Sequence, residues 1–524
     1  MQRFIASSHD SPGGVEESWR LRFARKKGGV HVHLLTDRNA AMVRRSPAQR
    51  WRPSGPCYDR SMTNMTMART PVSVSVAEWV SGLSWSQIPP NVIEATKLHI
   101  MDILGVMLAG RNVPIVSKVR HAVLQSAAGS GVPTIGYPGE ASLPNAALML
   151  GVMATALEFD DTHFDGPVHS TGPVAAAAFP LAAKLEISGR KLIEAVLVGN
   201  ELSCRLGQVA PGMFHKCGFQ ATGALGTFGA IYALGKILSL PAMQLVNAIG
   251  LGASMTASCM ASFEDGTAPK SLHVGLDACA AAQAVSFAQN GISGPPAVFD
   301  GRLGFYRSHI QVQEYDFQFD ALLRQLGTRW EVLDIVSKSY PCSYQCHPYL
   351  DAVLELRAAH GIDASAVTEI VCLLPDDPLW ALVCQPVSEK VRPNNSWHAR
   401  VSFQHSLAEA LVLGKLDKTA YSEANLADPR INGLADRIRC VLVPRDANST
   451  GAVGQVQVFM GDGTRWVAQT RKSRKTPQDF LLKFRDNVSD VIPPDVMHQT
   501  VEDLLQLERT ANVATIFRKL SSTN

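Results

Sequence analysis

The stretch Ala146–Leu185, AALMLGVMATALEFDDTHFDGPVHSTGPVAAAAFPLAAKL, places a run of ionisable groups between two long apolar segments. Six side chains able to carry or move protons stand there within twelve positions: Glu158, Asp160, Asp161, His163, Asp165 and His169. Ionisable groups in apolar surroundings must be paired or have shifted pKa values, because burying a lone charge is costly. A carboxylate beside an imidazole commonly holds a general base in one tautomer. We therefore predict the catalytic centre here.

The same acidic residues also suit the start of a helix, where Asp and Ser side chains satisfy free backbone N–H groups. For a single Asp that structural interpretation would be sufficient. Four carboxylates and two histidines, followed by Ser-Thr-Gly-Pro, exceed what a helix cap needs. The functional interpretation is therefore favoured.

Around this stretch, apolar residues recur at three- and four-residue spacing, which predicts helices. The predicted helices are Asn91–Ala109, Leu143–Leu157, Val174–Leu185, Gly189–Leu206, Ala221–Leu238, Pro241–Ser262 and Leu272–Gln289. They are rich in Ala and Gly, which allow close helix–helix approach. This part of the chain predicts a tightly packed helical body.

The pattern changes after residue 330 to short alternation with β-branched residues, which predicts strands. The predicted strands are Trp330–Val336, Val367–Leu374, Ile438–Val443 and Ala452–Phe459, the last followed by a hairpin at Gly461. Helical patterns return after Thr476. The fold class is mainly α with an α+β second domain: an all-helical body over 71–330, a smaller α+β lid domain over 331–470, and C-terminal helices over 471–524 that return to the helical domain.

The formal charge of +3 hides an asymmetry between the first 71 residues and the rest. Residues 1–71 carry 13 Lys+Arg and 5 Asp+Glu, which leaves 36 and 41 for the remainder. Basic leaders bind nucleic acid or act as transit peptides in other proteins. This leader has no helical periodicity, so we expect residues 1–70 to be disordered or to precede the true start. A cytoplasmic protein without nucleic-acid or membrane partners is expected, with a mitochondrial location as the alternative.

The ten cysteines are scattered, and several lie within apolar helical segments, as is typical of reduced thiols. Cys342, Cys346 and His347 approach a metal-ligand spacing, but no second Cys/His pair completes a site. No uninterrupted apolar run reaches the roughly 18 residues of a membrane span. The nearest candidates, Ala221–Leu238 and Met243–Phe263, are predicted to be buried helices.

Two further segments carry chemical candidates. In Phe263–Ala278, Lys270 and His273 open a helix, where a lysine is suited to gripping a carboxylate. A solvated surface lysine is the ordinary alternative, and the flanking small residues with His273 argue against it. Phe214–Thr227 is a glycine-rich turn into an apolar helix that lacks the spacing of a phosphate-binding loop.

Six segments in this order resemble the MmgE/PrpD family of 2-methylcitrate dehydratases and cis-aconitate decarboxylases. They are KLHIMDILGVMLAG, EFDDTHFDGPVHS, GFQATGALGTFGA, APKSLHVGLDA, KSYPC and ARVSFQHSLAEAL, and the resemblance covers roughly residues 73–520. It implies a helical domain with an α+β lid, a homodimer, and no metal or organic cofactor.

The resemblance also implies which residues form the site. Those expected to be catalytic are His169, Asp161, Glu158, Lys270 and His273. Those expected to bind substrate are Thr162, His163, Gln220, Lys270 and Trp380. Relatives often place a histidine where this chain has Gln220, which cannot exchange protons. Trp380 corresponds to a lid tyrosine that some decarboxylases use.

Three functions remain open from the sequence. The first is a cofactor-independent lyase that dehydrates or decarboxylates a small di- or tricarboxylate by proton transfer at a carbon next to a carboxylate. The second is an epimerase or isomerase of a dicarboxylate that uses the same site. The third is a non-catalytic paralogue that acts as a binding protein. The set of His169 and Lys270 favours an enzyme.

Overall fold

The computed structural model describes residues 20–26, 29–35, 70–125, 131–267, 269–444, 452–471 and 475–521. The chain divides into two compact units, 1–68 and 69–524. Within the first unit, strands β1 (Arg20–Lys26) and β2 (Gly29–Leu35) form an antiparallel hairpin. The rest of the prediction for residues 1–70 lies outside the described residues.

The second unit contains two large hydrophobic cores and two small apolar clusters, and the larger core is built from helices. Its N-terminal helices are α1 (Val72–Gly82), α2 (Pro90–Gly110), α3 (Pro114–Gln125), α4 (Leu143–Thr155), α5 (Thr171–Lys184), α6 (Gly189–Val209), α7 (Met213–Lys216), α8 (Ala221–Leu238), α9 (Ala242–Gly252), α10 (Ser262–Asp265), α11 (Pro269–Gln289) and α12 (Phe305–His309). Short strands β3 (Val132–Pro133) and β4 (Glu140–Ala141) pair with each other. Helix α8 has the length and composition of a membrane span, yet 94% of it is buried inside the protein. Its prediction as a buried helix is confirmed.

Glycine allows the body helices to approach closely. A Cβ at Gly151 on α4 would lie 2.5 Å from the Cα of Gly275 on α11. A Cβ at Gly199 on α6 would lie 2.9 Å from the backbone oxygen of Gly229 on α8. No side chain fits in these crossings without moving a backbone. The close approach predicted from the Ala and Gly content is confirmed.

The smaller core belongs to a mixed α/β region. Its helices are α13 (His347–His360), α14 (Pro378–Cys384), α15 (Val387–Val391), α16 (Ser396–Arg400), α17 (Phe403–Leu413), α18 (Glu423–Ala427) and α19 (Pro429–Ala435). Strands β7 (Val367–Pro375), β8 (Ile438–Val443), β9 (Ala452–Met460) and β10 (Arg465–Arg471) form one sheet in the order β10-β9-β7-β8. Only β7 and β8 are parallel. The three predicted strands of this sheet and its hairpin are confirmed.

The C-terminal helices are α20 (Pro477–Val488), α21 (Pro494–Leu505) and α22 (Ala514–Ser521). Their apolar side chains, such as Phe484 and Phe517, belong to the larger core. The fold is therefore mainly α with an α+β region between the helical segments, as the sequence predicts.

The strand predicted at Trp330–Val336 is wrong over most of its length. Residues Glu331–Asp334 form a 3₁₀ turn, and only β6 (Ile335–Ser337) is extended. The backbone of Val332 bonds to side chains instead of a neighbouring strand: its N–H donates to Glu201 Oε2 at 3.2 Å, and its carbonyl lies 3.2 Å from His99 Nε2. Short apolar alternation alone does not reveal such partners.

The helix predicted at Pro241–Ser262 is wrong beyond Gly252. Helix α9 ends there, and the chain turns back so that Cys259 pairs with Phe219. The backbone N–H of Gln220 donates to Ser258 O at 2.9 Å, which fixes this return. An apolar run of this length is compatible with a helix and with a buried loop. Composition alone therefore did not distinguish the two structures.

Candidate active site

The acidic stretch forms a short connection between two buried helices. Helix α4 ends at Thr155, strand β5 (Asp161–His163) follows, and α5 begins at Thr171. Strand β5 pairs in an antiparallel manner with β6, which precedes the lid. Glu158 has a φ of +51°, a conformation that a non-glycine residue keeps only when its surroundings hold it. The connection therefore brings the ionisable groups to the junction of body and lid.

Glu158 belongs to a buried network of two carboxylates and two lysine ammonium groups. Its carboxylate pairs with the ammonium groups of Lys270 and Lys338, the second at 3.1 Å. Lys338 also pairs with Asp160 Oδ1 at 3.2 Å. Burial alone would raise the pKa of Glu158, but the two lysines lower it well below its ordinary value. The two carboxylates and two lysines compensate one another, which is what buried charges require.

His169 lies next to this network, with Nδ1 hydrogen-bonded and Nε2 without a hydrogen-bond partner among the described residues. Its Nδ1 lies 2.6 Å from Asp161 O, and because a carbonyl only accepts, Nδ1 carries the proton. Thr162 Oγ1 lies 3.0 Å from the same nitrogen. Burial lowers the pKa of His169, and the charges of Lys338 and Lys270 lower it further. The imidazole is therefore neutral near pH 7, with Nε2 as its unprotonated nitrogen.

His169 lines the space between body and lid. About 20% of the side chain is exposed, and Nε2 makes no hydrogen bond within the part of the chain that the structure describes. The His169 backbone N–H donates to Thr222 Oγ1 at 2.9 Å, at the start of α8. A neutral imidazole with an accessible lone pair and a fixed tautomer is suited to general-base chemistry.

Gln220 caps helix α8 beside His169. Its Oε1 accepts a hydrogen bond from the Gly223 N–H at 2.6 Å, which orients the amide and leaves its NH₂ group to donate to a ligand. Gln220 is buried and lines the same space as His169. The side chain provides N–H donors for a ligand and no group that exchanges protons.

These groups line one cavity of about 1130 Å³ between the body and the lid. Of the residues predicted from the sequence, the cavity wall contains Glu158, Thr162, His163, His169, Gln220, Lys270 and Trp380. Trp380 comes from α14 of the lid, and its ring packs edge-on against Tyr349 at 5.7 Å. The structure thus brings together predicted residues that lie more than 200 positions apart.

The carboxylate of Asp161 and the ring of His273 do not belong to the described cavity wall. Asp161 Oδ1 accepts from the Thr171 N–H at 3.4 Å, and burial raises the pKa of this carboxyl to about 7. Its backbone carbonyl, however, orients His169. His273 packs against the first turn of α8. A Cβ added at Gly223 in that turn would lie 3.1 Å from the Cβ of His273. Burial, aided by the charge of Lys270, lowers the pKa of His273 to about 4.

His163 lines the cavity with Nδ1 hydrogen-bonded and Nε2 within ion-pair distance of a carboxylate. Its Nδ1 accepts from the Gly166 N–H at 3.1 Å, and its Nε2 lies 3.4 Å from Glu331 Oε2. Burial disfavours the protonated ring, but Cys204 and Glu331 together raise the pKa of His163 above its ordinary value. This arrangement makes His163 a structural partner of Glu331 and leaves it little freedom to bind a ligand.

Two residues of the site were not among the predicted ones. Lys338 is fully buried in the charge network. The apolar residues Ile335–Val336 shortly before Lys338 were the sequence feature that could have indicated its burial. His215 on α7 lines the cavity, and its buried Nδ1 has no hydrogen-bond partner among the described residues. Burial, with smaller effects of His169 and Lys270, lowers the pKa of His215 to about 4.

Cys342, Cys346 and His347 do not form a metal site. Within the described residues, no group of three or more His, Cys, Asp or Glu side chains could hold a metal ion. His347 Nδ1 accepts from the Ser339 N–H at 3.3 Å, and its ring stacks on Tyr344. Both thiols are buried in the smaller core.

Comparison with known proteins assigns the chain to one family. The MmgE/PrpD N-terminal domain matches residues 74–318, and the MmgE/PrpD C-terminal domain matches residues 340–507. The chain therefore belongs to the MmgE/PrpD family. It is an enzyme of the lyase class.

Curated relatives match over most of their length at low identity. Cis-aconitate decarboxylase-like protein oryM of Aspergillus oryzae is 24% identical over 474 residues, which cover 86% of this chain and 97% of that protein. Cis-aconitate decarboxylase of Mus musculus is 24% identical over 472 residues, 86% and 93% of the two chains. 2-Methylcitrate dehydratase of Cupriavidus necator is 23% identical over 428 residues, 75% and 85% of the two chains.

Proposed function

We propose that this lyase dehydrates or decarboxylates a small di- or tricarboxylate by proton transfer at a carbon next to a carboxylate. The observation that carries the proposal is His169, a neutral imidazole with a fixed tautomer and an open Nε2, beside Lys270 in one cavity. The activities of the relatives, decarboxylation of cis-aconitate and dehydration of 2-methylcitrate, support the same chemistry.

In dehydration, His169 Nε2 removes a proton from the carbon next to a carboxylate. The C–H electron pair forms the new double bond as the C–O bond on the neighbouring carbon breaks, and the hydroxyl leaves as water after it receives a proton. Lys270 stabilises the charge that develops on the adjacent carboxylate. Because Glu158 neutralises Lys270 in the free enzyme, a substrate carboxylate must share this ammonium with Glu158.

The proton for the leaving hydroxyl requires a second group, and we assign that role to His215. Glu158 is held ionised by two lysines, and Gln220 cannot exchange protons. His163 is engaged with Glu331. His215 lines the cavity, and its buried Nδ1 has no hydrogen-bond partner among the described residues.

Substrate charge makes this assignment workable. In the free enzyme the pKa of His215, about 4, leaves it neutral. Binding a polycarboxylate next to the imidazole favours its charged form and raises its pKa. The bound substrate thereby brings about the protonation on which its own reaction depends. In decarboxylation the same imidazolium protonates the carbon that receives the electron pair released with CO₂.

The test is product analysis by NMR with purified protein and citrate, 2-methylcitrate and cis-aconitate. Loss of water or of CO₂ is the expected outcome. Conversion without either loss would make the protein an isomerase, and the absence of turnover with tight binding would make it a binding protein. The His169→Gln variant is the control, because it keeps the size of the side chain and removes the base.

We also propose that the protein is a homodimer. Helix α11 exposes Leu276 and Phe287, which lie 11 positions apart and therefore on one helix face, and Met243 is exposed on the packed helix α9. Large apolar side chains exposed together on neighbouring helices are a feature of protein–protein interfaces.

A further inference from the structure

Three cations with largely buried side chains bind the backbone carbonyls of three consecutive residues just beyond the end of α4. The hydrogen bonds run from Arg400 Nη1 to Leu157 O at 3.0 Å, from Lys338 Nζ to Glu158 O at 3.0 Å, and from Lys483 Nζ to Phe159 O at 2.9 Å. Carbonyls at a helix C-terminus lack intrahelical partners, and cations are favoured there. The left-handed backbone of Glu158, with a φ of +51°, is therefore held by hydrogen bonds from three charged groups.

Arg400 is the contribution of the lid to this arrangement. It lies on α16, and the same Nη1 atom also donates to Pro341 O at 2.9 Å. Leu157 directly precedes Glu158, and Pro341 follows Lys338 by three positions. One guanidinium nitrogen therefore joins the two segments that carry the paired groups Glu158 and Lys338.

The Arg400 side chain binds backbone groups in place of a carboxylate. Within the described part of the chain, both acceptors of its hydrogen bonds are carbonyl oxygens, and its Nε has no hydrogen-bond partner. The residue is 3% exposed, and its guanidinium lies 5.0 Å from the centre of the Tyr421 ring. Burying a charge without an ionic partner is costly. We therefore expect this contact to serve the site and not only the packing of the lid.

Arg400 reaches the site through Glu158. The Glu158 carboxylate pairs with the Lys270 ammonium, and both residues line the cavity. Arg400 is not among the described residues of the cavity wall. A shift of the Glu158 backbone would move its carboxylate, and the position of Lys270 relative to His169 would change with it.

We propose that Arg400 is a positioning residue of the active site, which binds the Leu157 and Pro341 carbonyls and so holds Glu158 in the conformation that orients Lys270. Because Arg400 belongs to the lid, the arrangement of charged groups in the body depends on contact with the lid. The role of Lys270 rests on the proposed function, whereas the effect of Arg400 on the segment around Glu158 does not.

Hydrogen–deuterium exchange of the full-length protein without ligand tests the positioning role. Arg400→Met removes both hydrogen bonds, so peptides covering residues 156–163 should exchange about 10-fold faster or more, as loss of a hydrogen bond to a charged group implies. Helix α17, which follows Arg400 in the lid, should exchange as in the wild type. Unchanged exchange over 156–163 would overturn the inference. Equal acceleration in α17 would also overturn it, because the variant would then loosen the lid as a whole.

Arg400→Lys is the conservative variant. It keeps the charge but supplies a single ammonium in place of the guanidinium, so its exchange over 156–163 should lie between that of the wild type and that of Arg400→Met. If Arg400→Met does not fold, Arg400→Lys decides the test: faster exchange confined to 156–163 supports the inference, and wild-type exchange there refutes it.

Lys236→Met is the matched control. Lys236 on α8 is also a buried cation, and its Nζ donates to the backbone carbonyls of Val80 and Leu83, away from the cavity wall. Its replacement should lower the melting temperature and leave exchange over 156–163 unchanged. If Lys236→Met accelerated these peptides as much as Arg400→Met, general destabilisation would explain the result and the inference would be overturned.

Kinetics separate this inference from the proposed function. With cis-aconitate or 2-methylcitrate as substrate, Arg400→Met should lower kcat/KM per folded molecule by about 100-fold, the effect of displacing a catalytic group by about 1 Å. Arg400→Lys should recover part of this loss, and Lys236→Met should show none. Wild-type kcat/KM in Arg400→Met would uphold the lyase and refute the positioning role. If the wild type turned over neither acid, the lyase would be refuted, and the exchange experiment would still decide the role of Arg400.

Discussion

Replacing Lys338 with methionine removes the centre of the buried charge network. The ammonium pairs with Glu158 Oε1 at 3.1 Å and Asp160 Oδ1 at 3.2 Å, and it also donates to the Glu158 carbonyl at 3.0 Å. All three side chains are buried. Methionine has a similar length, so the change leaves two buried carboxylates with Lys270 as their remaining ammonium partner in the described network.

The expected loss in the free energy of unfolding is about 3–5 kcal/mol, which is the cost of breaking a buried ion pair by removing one partner. In the wild type, the lysines lower the pKa of both carboxylates, so their stabilising contribution is present above the pKa of about 4 in the unfolded chain. In Lys338→Met the pKa of Asp160 is expected to be raised by burial. The stability deficit should therefore be smaller at pH 5 than at pH 8.

Urea denaturation followed by tryptophan fluorescence at both pH values measures these differences. Lys338→Met/Asp160→Asn should recover part of the loss, because it removes the carboxylate that the single variant leaves unpaired. Lys415→Met, at an exposed ion pair with Asp417, is the matched control and should leave the stability close to that of the wild type, because solvent screens an exposed pair. If Lys338→Met lowered the free energy of unfolding by less than about 1 kcal/mol, and equally at both pH values, the stabilising role of the charge network would be refuted.

The remaining predictions concern the site and the assembly. His169→Gln should lower kcat by about 100- to 10,000-fold with an unchanged melting temperature, and full activity would contradict its role as the base. Lys270→Met should raise KM by about 10- to 150-fold, the worth of a hydrogen bond to a charged group, and unchanged kinetics would exclude contact with a carboxylate. Because the pKa of His215 is lowered in the free enzyme and is raised by a bound polyanion, substrate binding should take up a proton and tighten as pH falls from 8 to 6. Calorimetry in buffers of different ionisation enthalpy measures this uptake, and proton release would contradict it. Leu276→Asp/Phe287→Asp should yield monomers in light scattering, and an unchanged mass would place the dimer interface elsewhere.

Local patterns in the sequence were sufficient for most helices and for the sheet of the lid. The apolar spacing of α2 and α6, the continuous apolar character of the buried α8 and the β-branched residues of β7 to β9 are local properties of the sequence. The errors at Trp330–Val336 and Pro241–Ser262 occur where backbone groups bond to distant partners. A short apolar run carries no information about such partners.

The ionisable stretch between α4 and α5 was recognisable from the sequence because charged groups between apolar segments need partners. The identity of those partners was a property of the tertiary structure. Lys338 stands 180 positions after Glu158, and its place in the network follows from the pairing of β5 with β6. The same applies to His215, which reaches the cavity through a four-residue helix with too little sequence to form a pattern. Sequence determined which residue types the site contains and where the helices run. The three-dimensional fold decided which charge faces which, because contacts between distant segments depend on how whole elements pack.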